Sequence, residues 1–239
     1  LEPFVVKGKR RPVHANEVTA VREVTDAPSH RAFAGRVVEL EVLDTHLTAA
    51  RQGRGSVVEV VGDLGVGKSR LVDEFASVQS DVHVMRLFCE PYQSQNAYFA
   101  ASRILRALLG IPNDAEPDDA GALLRERIAR VSPTSLPWLP LVAAAANARV
   151  DPTPEVDRLA PEFRVDRLHE AVAAALGGVL VSPTLLVIED AASMDAASAA
   201  LFASLLRLVE AVPWAIVLTT RATDRGLHAG LGFDAERID

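Results

Sequence analysis

The chain has 239 residues, of which 49% are apolar and 24% are charged, and its formal net charge is −7. This composition is typical of a globular protein and excludes intrinsic disorder over most of the chain. The single cysteine, Cys89, excludes a disulfide framework and a cysteine-cluster metal site. The acidic balance disfavours a protein that coats nucleic acid through a basic surface, so no direct nucleic-acid partner is expected.

The elements are predicted from apolar periodicity and from turn residues, taken in chain order. Residues 1–30 differ from the rest and indicate short extended pieces and a linker. A helix begins near Val38, and the β-branched run Val57–Val61 predicts a buried strand. The elements that follow are a glycine-rich turn at 62–67, a helix over 68–76, a strand over 83–89, a mainly helical region over 92–180 that is broken by prolines between 133 and 161, a strand over 184–188, a helix over 196–208, a strand over 214–219 and the start of a fifth strand at 236–239.

Strands that alternate with helices predict a parallel sheet covered on both faces. Residues 171–188 carry no charge, and their length alone fits a membrane span. Gly177-Gly178 and Pro183 divide this stretch into a short helix and a strand, so no span is predicted. The N-terminus shows no signal peptide, and we expect a cytoplasmic protein.

The first motif with chemical content is GDLGVGKS at residues 62–69, which matches G-x-x-x-x-G-K-[ST] in full. Its glycines let successive backbone N–H groups face phosphate oxygens, and the helix that follows favours anions at its N-terminus. Lys68 is expected to contact the β- and γ-phosphates of a nucleotide, and Ser69 to bind Mg²⁺. The predicted phosphate-binding residues are Gly62, Asp63, Gly65, Val66, Gly67, Lys68, Ser69 and Arg70.

The second motif is an apolar run, Leu185–Ile188, followed by Glu189 and Asp190. It predicts a buried strand that delivers carboxylates to the C-terminal edge of a sheet, where open α/β sheets bind ligands. Glu189 is expected to hold Mg²⁺ through water and Asp190 to orient or deprotonate the attacking water. The assignment of the Mg²⁺ ligand between these acids stays open, and an acid after a strand is also often a helix cap.

Two further polar residues each have two interpretations. Arg221 follows an apolar strand and two threonines, and an arginine there can sense a γ-phosphate and stabilise developing charge. Alternatively, it is a surface arginine that closes the strand. Asp195 either lies near the site or caps the helix that begins at Ala196, and capping is the preferred interpretation.

In combination these segments resemble the signal-transduction ATPases with numerous domains, a branch of the P-loop NTPases related to the AAA+ class. Residues 33–40, FAGRVVEL, resemble the F-x-G-R-x-x-E-L opening segment of that family. Residues 89–92 with 97–98, and residues 218–221, resemble stretches of the subgroup fused to nucleotidyl cyclases and LuxR-type regulators. Residues 189–195 resemble its E-D-x-H-W-x-D motif, but Ala192-Ser193 replace the His-Trp pair.

The resemblance implies a three-layer α/β sandwich with a parallel sheet of order 5-1-4-3-2 and a helical insertion between strands 2 and 3. It implies ATP or ADP with Mg²⁺ as ligands, and places Phe33, Gly35 and Arg36 beside the adenine ring. Family members continue into a lid and helical domains, so we expect a fragment whose partners include in-chain domains. The family pattern also allows oligomerisation on activation.

Residues 3–15, PFVVKGKRRPVHA, resemble the C-terminal end of a class III nucleotidyl cyclase domain. We therefore expect residues 1–30 to be a cyclase tail and linker without cyclase activity, and residues 31–239 to be the ATPase domain.

The sequence thus predicts an ATP-binding signalling switch with slow, Mg²⁺-dependent hydrolysis, the regulatory module of a multidomain protein. In this hypothesis Lys68, Asp190 and Arg221 sense the γ-phosphate, and Glu189 completes the catalytic set. One alternative is a nucleotide-binding scaffold that has lost hydrolysis. A small-molecule kinase ranks lower, because it needs an acceptor pocket in residues 91–180, where convergent polar groups are few.

Overall fold

The computed structural model describes residues 35–90, 96–221 and 235–238. The predictions for the cyclase-like tail, for Phe33 and for Pro91-Tyr92 lie outside these described residues. From Arg36 onward the described chain belongs to one compact unit.

The described strands form one parallel sheet in the order β5-β1-β4-β3-β2. This is the expected order 5-1-4-3-2, and the predicted α/β fold class is confirmed. β3 and β4 are buried along their full length, as expected for apolar runs covered on both faces. The strands are β1 Ser56–Val61, β2 His83–Phe88, β3 Thr184–Glu189, β4 Trp214–Thr220 and β5 Glu236–Ile238.

Helices cover both faces of the sheet and form the outer layers of the sandwich. The helix over residues 37–51 packs against β1 and β4, and the helix over residues 68–77 packs against β3. The helix over residues 196–206 packs against the helix over residues 99–109. Short 3₁₀ turns at 133–138 and 161–163 interrupt the proline-rich region, as predicted. The helices are α1 Val37–Arg51, α2 Lys68–Ser77, α3 Phe99–Leu109, α4 Pro117–Val131, α5 Leu139–Ala145, α6 Pro154–Asp157, α7 Arg164–Gly177 and α8 Ala196–Leu206.

The insertion between β2 and β3 contains α3 to α7, which confirms the predicted helical insertion. Its connections are held by Arg106, a buried residue of α3. Its guanidinium donates to backbone carbonyls on two separate loops, those of Pro112, Asn113, Ala115, Ala146 and Asn147. A buried charge needs such hydrogen bonds to offset its lost hydration, so Arg106 serves the fold.

The uncharged stretch 171–188 divides as predicted, because α7 ends at Gly177 and β3 begins at Thr184. In the described ranges, no helix combines the length and apolar character that a membrane crossing requires.

Candidate nucleotide-binding site

The glycine-rich segment connects the end of β1 to the start of α2, as the motif requires. Gly65 and Gly67 have φ angles of 84° and 95°, a left-handed region that glycine adopts without the steric cost of a side chain. The N–H of Gly62 donates to the carbonyl of Thr220 at 3.3 Å, which ties the beginning of the loop to the end of β4. The loop is therefore fixed at the C-terminal edge of the sheet.

The ammonium of Lys68 lies against the beginning of the same loop. Its Nζ donates to the carbonyl oxygens of Gly62 at 2.8 Å and Asp63 at 3.2 Å. An ammonium group has three donors and no acceptor, so it points toward oxygen atoms. Lys68 is therefore suited to give up its hydrogen bond to a carbonyl oxygen and to form one with a phosphate oxygen.

Ser69 and Glu189, which are 120 residues apart, are joined by a hydrogen bond from the serine hydroxyl to the glutamate Oε2. Glu189 is the last residue of β3 and is 5% exposed. The structure therefore brings the two predicted Mg²⁺-binding motifs into contact at one end of the sheet.

Arg86 is a residue of this region that sequence reasoning missed. Its Nη1 lies 3.5 Å from Oε1 of Glu189 and also pairs with Asp73 of α2. The available signal was a cation between the apolar residues Met85 and Leu87 of strand β2. Its partner follows from the pairing of β2 with β3, which the residue pattern alone does not specify.

Asp190 has different surroundings from Glu189. Its backbone is left-handed, with φ 48°, which aspartate tolerates better than most residues. Its N–H donates to Oγ1 of Thr219 at 3.1 Å, so its position is set by β4, whereas that of Glu189 is set by Ser69 and Arg86. Strained backbone of this kind is concentrated at functional sites.

A cleft of about 240 Å³ lies between the loop and the ends of β3 and β4. Most of the predicted phosphate- and metal-binding residues meet there. Thr219 is a lining residue that the sequence analysis did not include in the site. The cleft is lined by Leu64, Gly65, Gly67, Lys68, Ser69, Arg70, Glu189, Asp190 and Thr219.

Among the predicted residues that do not line the cleft are Gly62, Asp63, Val66, Arg36 and Arg221. Nη2 of Arg36 donates to the carbonyl of Val66 at 2.7 Å, which connects the start of α1 to the loop. Arg221 is exposed and directly follows β4. Gly35 has a positive φ of 83°. The adenine-side role of Gly35 and Arg36, and the sensor role of Arg221, stay predictions.

The few oxygen donors at the cleft suit Mg²⁺ better than they suit a metal ion whose ligands all come from the protein. Within the described ranges, no group of three or more His, Cys, Asp or Glu side chains is placed to hold a metal. Mg²⁺ is usually bound by one or two protein oxygens together with waters and substrate phosphates. The contacting oxygens of Ser69 and Glu189 match that requirement.

The structure confirms that Asp195 caps α8, and it shows a second, unpredicted role for this residue at the start of α3. It is 3% exposed and accepts the N–H of Ser198 at 2.8 Å, which caps α8. It also accepts the N–H groups of Tyr98 at 2.9 Å and Ala100 at 3.1 Å, at the start of α3. One carboxylate therefore fixes two helix N-termini and does not line the cleft.

Cys89 lies just after β2, and its N–H donates to the carbonyl of Glu189 at 3.0 Å. Burial raises the pKa of its thiol to about 12, and the charges of Asp195 and Asp190 contribute to the increase. The thiol is therefore protonated at neutral pH and acts as a packing group.

The 5-1-4-3-2 parallel sheet and the phosphate-binding loop after β1 define a P-loop NTPase. The family model described as the AAA ATPase domain matches residues 32–218 of the chain. This match covers most of the sequence, and the protein belongs to the AAA ATPase domain family. A search of curated proteins found no significant match.

Proposed function

We propose that this AAA ATPase domain is an ATP-binding signalling switch that hydrolyses ATP slowly in the presence of Mg²⁺. The observation that carries the proposal is the hydrogen bond between Ser69 and Glu189. It joins the phosphate-binding loop to the acidic end of β3, the two parts that Mg²⁺-dependent phosphoryl transfer requires.

In the proposed mechanism the loop N–H groups and Lys68 bind the β- and γ-phosphates. Ser69 and Glu189 would hold the metal, and Arg86 keeps the glutamate in position. Bound Mg²⁺ would neutralise charge on the transferred phosphoryl group.

Asp190 is proposed to orient the attacking water or accept its proton, because it lines the cleft beside Glu189 and its backbone is anchored to Thr219. Arg221 is proposed to report on the γ-phosphate from the end of β4. Together with Lys68, these residues would distinguish ATP from ADP.

The proposed slow rate and the regulatory setting depend on the sequence resemblance. Ala192-Ser193 stand where the resembling subgroup has His-Trp, so two polar or aromatic groups next to the acids are missing. A linked cyclase, a lid and helical output domains are proposed as in-chain partners, with oligomerisation as one form of output.

The first test is to denature the freshly purified protein and identify any released nucleotide, followed by equilibrium binding of ATP and ADP. Lys68→Ala should lose retained nucleotide and bind ATP at least about tenfold more weakly, the effect of 1.4 kcal/mol. Lys9→Ala, the same substitution outside the motif, is the matched control. Unchanged affinity in Lys68→Ala would contradict the proposed site.

The second test separates a hydrolytic switch from a scaffold. Glu189→Gln and Asp190→Asn should retain ATP binding but reduce phosphate release by at least about tenfold, because each loses a charge that acts in the transition state. If the wild-type protein binds ATP and neither substitution changes its rate, the scaffold alternative is correct.

A further inference from the structure

Behind the proposed metal site, polar side chains from α2, β2 and β3 form a closed ring of contacts. Arg86 lies on β2 two residues before Phe88, which pairs with Glu189 of β3. Alternate residues of a strand lie on one face of a sheet, so Arg86 and Glu189 are diagonal neighbours. Asp73 is four residues after Ser69 in α2, on the same helix face, and it contacts Arg86. The ring therefore runs from Ser69 through Glu189 and Arg86 to Asp73.

The guanidinium of Arg86 is shared unequally between two carboxylates. Its Nη1 donates a short hydrogen bond to Oδ1 of Asp73, but it lies 3.5 Å from Oε1 of Glu189. That separation is longer than the usual range of N–H···O hydrogen bonds. Asp73 therefore holds the guanidinium and keeps it from full contact with Glu189.

The burial of the two acids makes this division informative. The side chain of Glu189 is 7% exposed, whereas that of Asp73 is 60% exposed. A buried carboxylate needs a cationic partner more than an exposed one does, because water stabilises the exposed charge. The shorter bond nevertheless goes to the exposed acid, and Glu189 is left with only a long contact to Arg86.

A guanidinium in full contact with Glu189 would compete with Mg²⁺ for the same carboxylate. Oxygen lone pairs that accept guanidinium N–H groups are not free for a metal ion or for its bound water. Repulsion between the two cations acts in addition, and it is weakly screened where the carboxylate is buried. The metal site should therefore weaken as the guanidinium approaches Glu189.

From these contacts we propose that Asp73 is a positioning residue that sets the Mg²⁺ affinity of the nucleotide site by withholding Arg86 from Glu189. The inference rests on the proposed function, because it requires the metal site at Ser69 and Glu189. Asp73 is not among the residues that line the cleft, so its effect on the metal passes through Arg86.

The test is calorimetric binding of ADP to the whole chain, once in saturating Mg²⁺ and once in excess EDTA. The ratio of the two dissociation constants is the Mg²⁺ enhancement, which measures the coupling between metal and nucleotide on the protein. Free ADP chelates Mg²⁺ equally in every experiment, so a difference in enhancement between variants reports on the protein's contacts to the metal. No hydrolysis is involved in this measurement.

Asp73→Asn removes the charge that holds the guanidinium, and the freed Arg86 should move toward Glu189. We expect the Mg²⁺ enhancement to fall about 3- to 10-fold, the range of a partly exposed ion pair and of a charge-assisted hydrogen bond. The affinity for ADP in EDTA should match that of the wild type. Glu74→Gln is the matched control, because it removes one carboxylate from the next, exposed position of α2 and should not change the enhancement.

A double variant separates positioning by Asp73 from the general effect of its negative charge. Once Arg86→Gln has removed the guanidinium, Asp73→Asn should cause no further fall in the Mg²⁺ enhancement. A direct, long-range attraction between Asp73 and the metal would instead persist in the absence of Arg86.

Two results would overturn this inference and leave the proposed function intact. The first is an equal Mg²⁺ enhancement in the wild type and in Asp73→Asn, which includes an equal loss of ADP affinity with and without the metal. The second is an effect of Asp73→Asn that persists beside Arg86→Gln. If Mg²⁺ does not strengthen ADP binding by the wild type, the proposed metal site is wrong and this inference fails with it.

Discussion

Replacing Asp195 by alanine removes the acceptor for three backbone N–H groups at the starts of α3 and α8. The carboxylate is 3% exposed, so water cannot simply replace it. An N-cap residue contributes about 1 kcal/mol, and each buried donor left without a partner costs about 1–3 kcal/mol. Because such effects are not fully additive, we expect Asp195→Ala to lower the free energy of unfolding by about 3–5 kcal/mol.

Asp195→Asn gives an intermediate case. Its amide oxygen can replace Oδ1, which accepts from Tyr98 and Ser198. The amide nitrogen would then stand where Oδ2 accepts from Ala100, so one bond is lost and we expect a cost of about 1–2 kcal/mol. Asp151→Ala is the control, because that side chain is 97% exposed and such surface changes stay within about 0.5 kcal/mol.

The assay is urea unfolding followed by circular dichroism, with the slope compared between variants to verify two-state behaviour. ATP hydrolysis per folded molecule is measured in parallel. A cost below about 1 kcal/mol for Asp195→Ala would refute the double-cap argument. A loss of hydrolysis at unchanged stability would instead place Asp195 in the catalytic site.

Three further predictions concern groups outside the nucleotide cleft. Burial and a pKa of about 12 for the Cys89 thiol predict at least about 100-fold slower reaction with a disulfide reagent at pH 8 than in urea-unfolded protein, and equal rates would refute this. Burial lowers the pKa of half-buried His169, so the unfolded chain takes up its proton first and stability falls as the pH drops below about 6.5. His169→Gln should reduce this loss between pH 7.5 and 5.5 in urea midpoints, and an identical loss would contradict the assignment. Gly121→Ala should destabilise α4 by about 1–3 kcal/mol, because its Cβ would lie 1.7 Å from the carbonyl oxygen of Arg149. Gly177→Ala, which has open space around the added Cβ, should be neutral or stabilising by up to about 1 kcal/mol, and equal effects of the two would refute the steric argument.

The sequence by itself determined the phosphate-binding loop and the fold class. The loop is a contiguous motif whose glycines, lysine and serine act through local backbone geometry, and the apolar strand runs are long enough to predict a buried parallel sheet. The expected strand order came from the family resemblance. Glu189 and Asp190 could be selected as site residues from the sequence, because residues at the C-terminal end of a parallel strand lie at the ligand-binding edge of the sheet.

Only the tertiary structure decided which distant side chains meet. Arg86 reaches Glu189 because β2 pairs with β3. Asp195 caps α3 as well as α8 because these helices follow two neighbouring parallel strands, β2 and β3, and begin beyond the same edge of the sheet. A hydrogen bond or a void between elements depends on their relative placement to within about 1 Å. Residue patterns specify which faces are apolar, but they do not specify that placement.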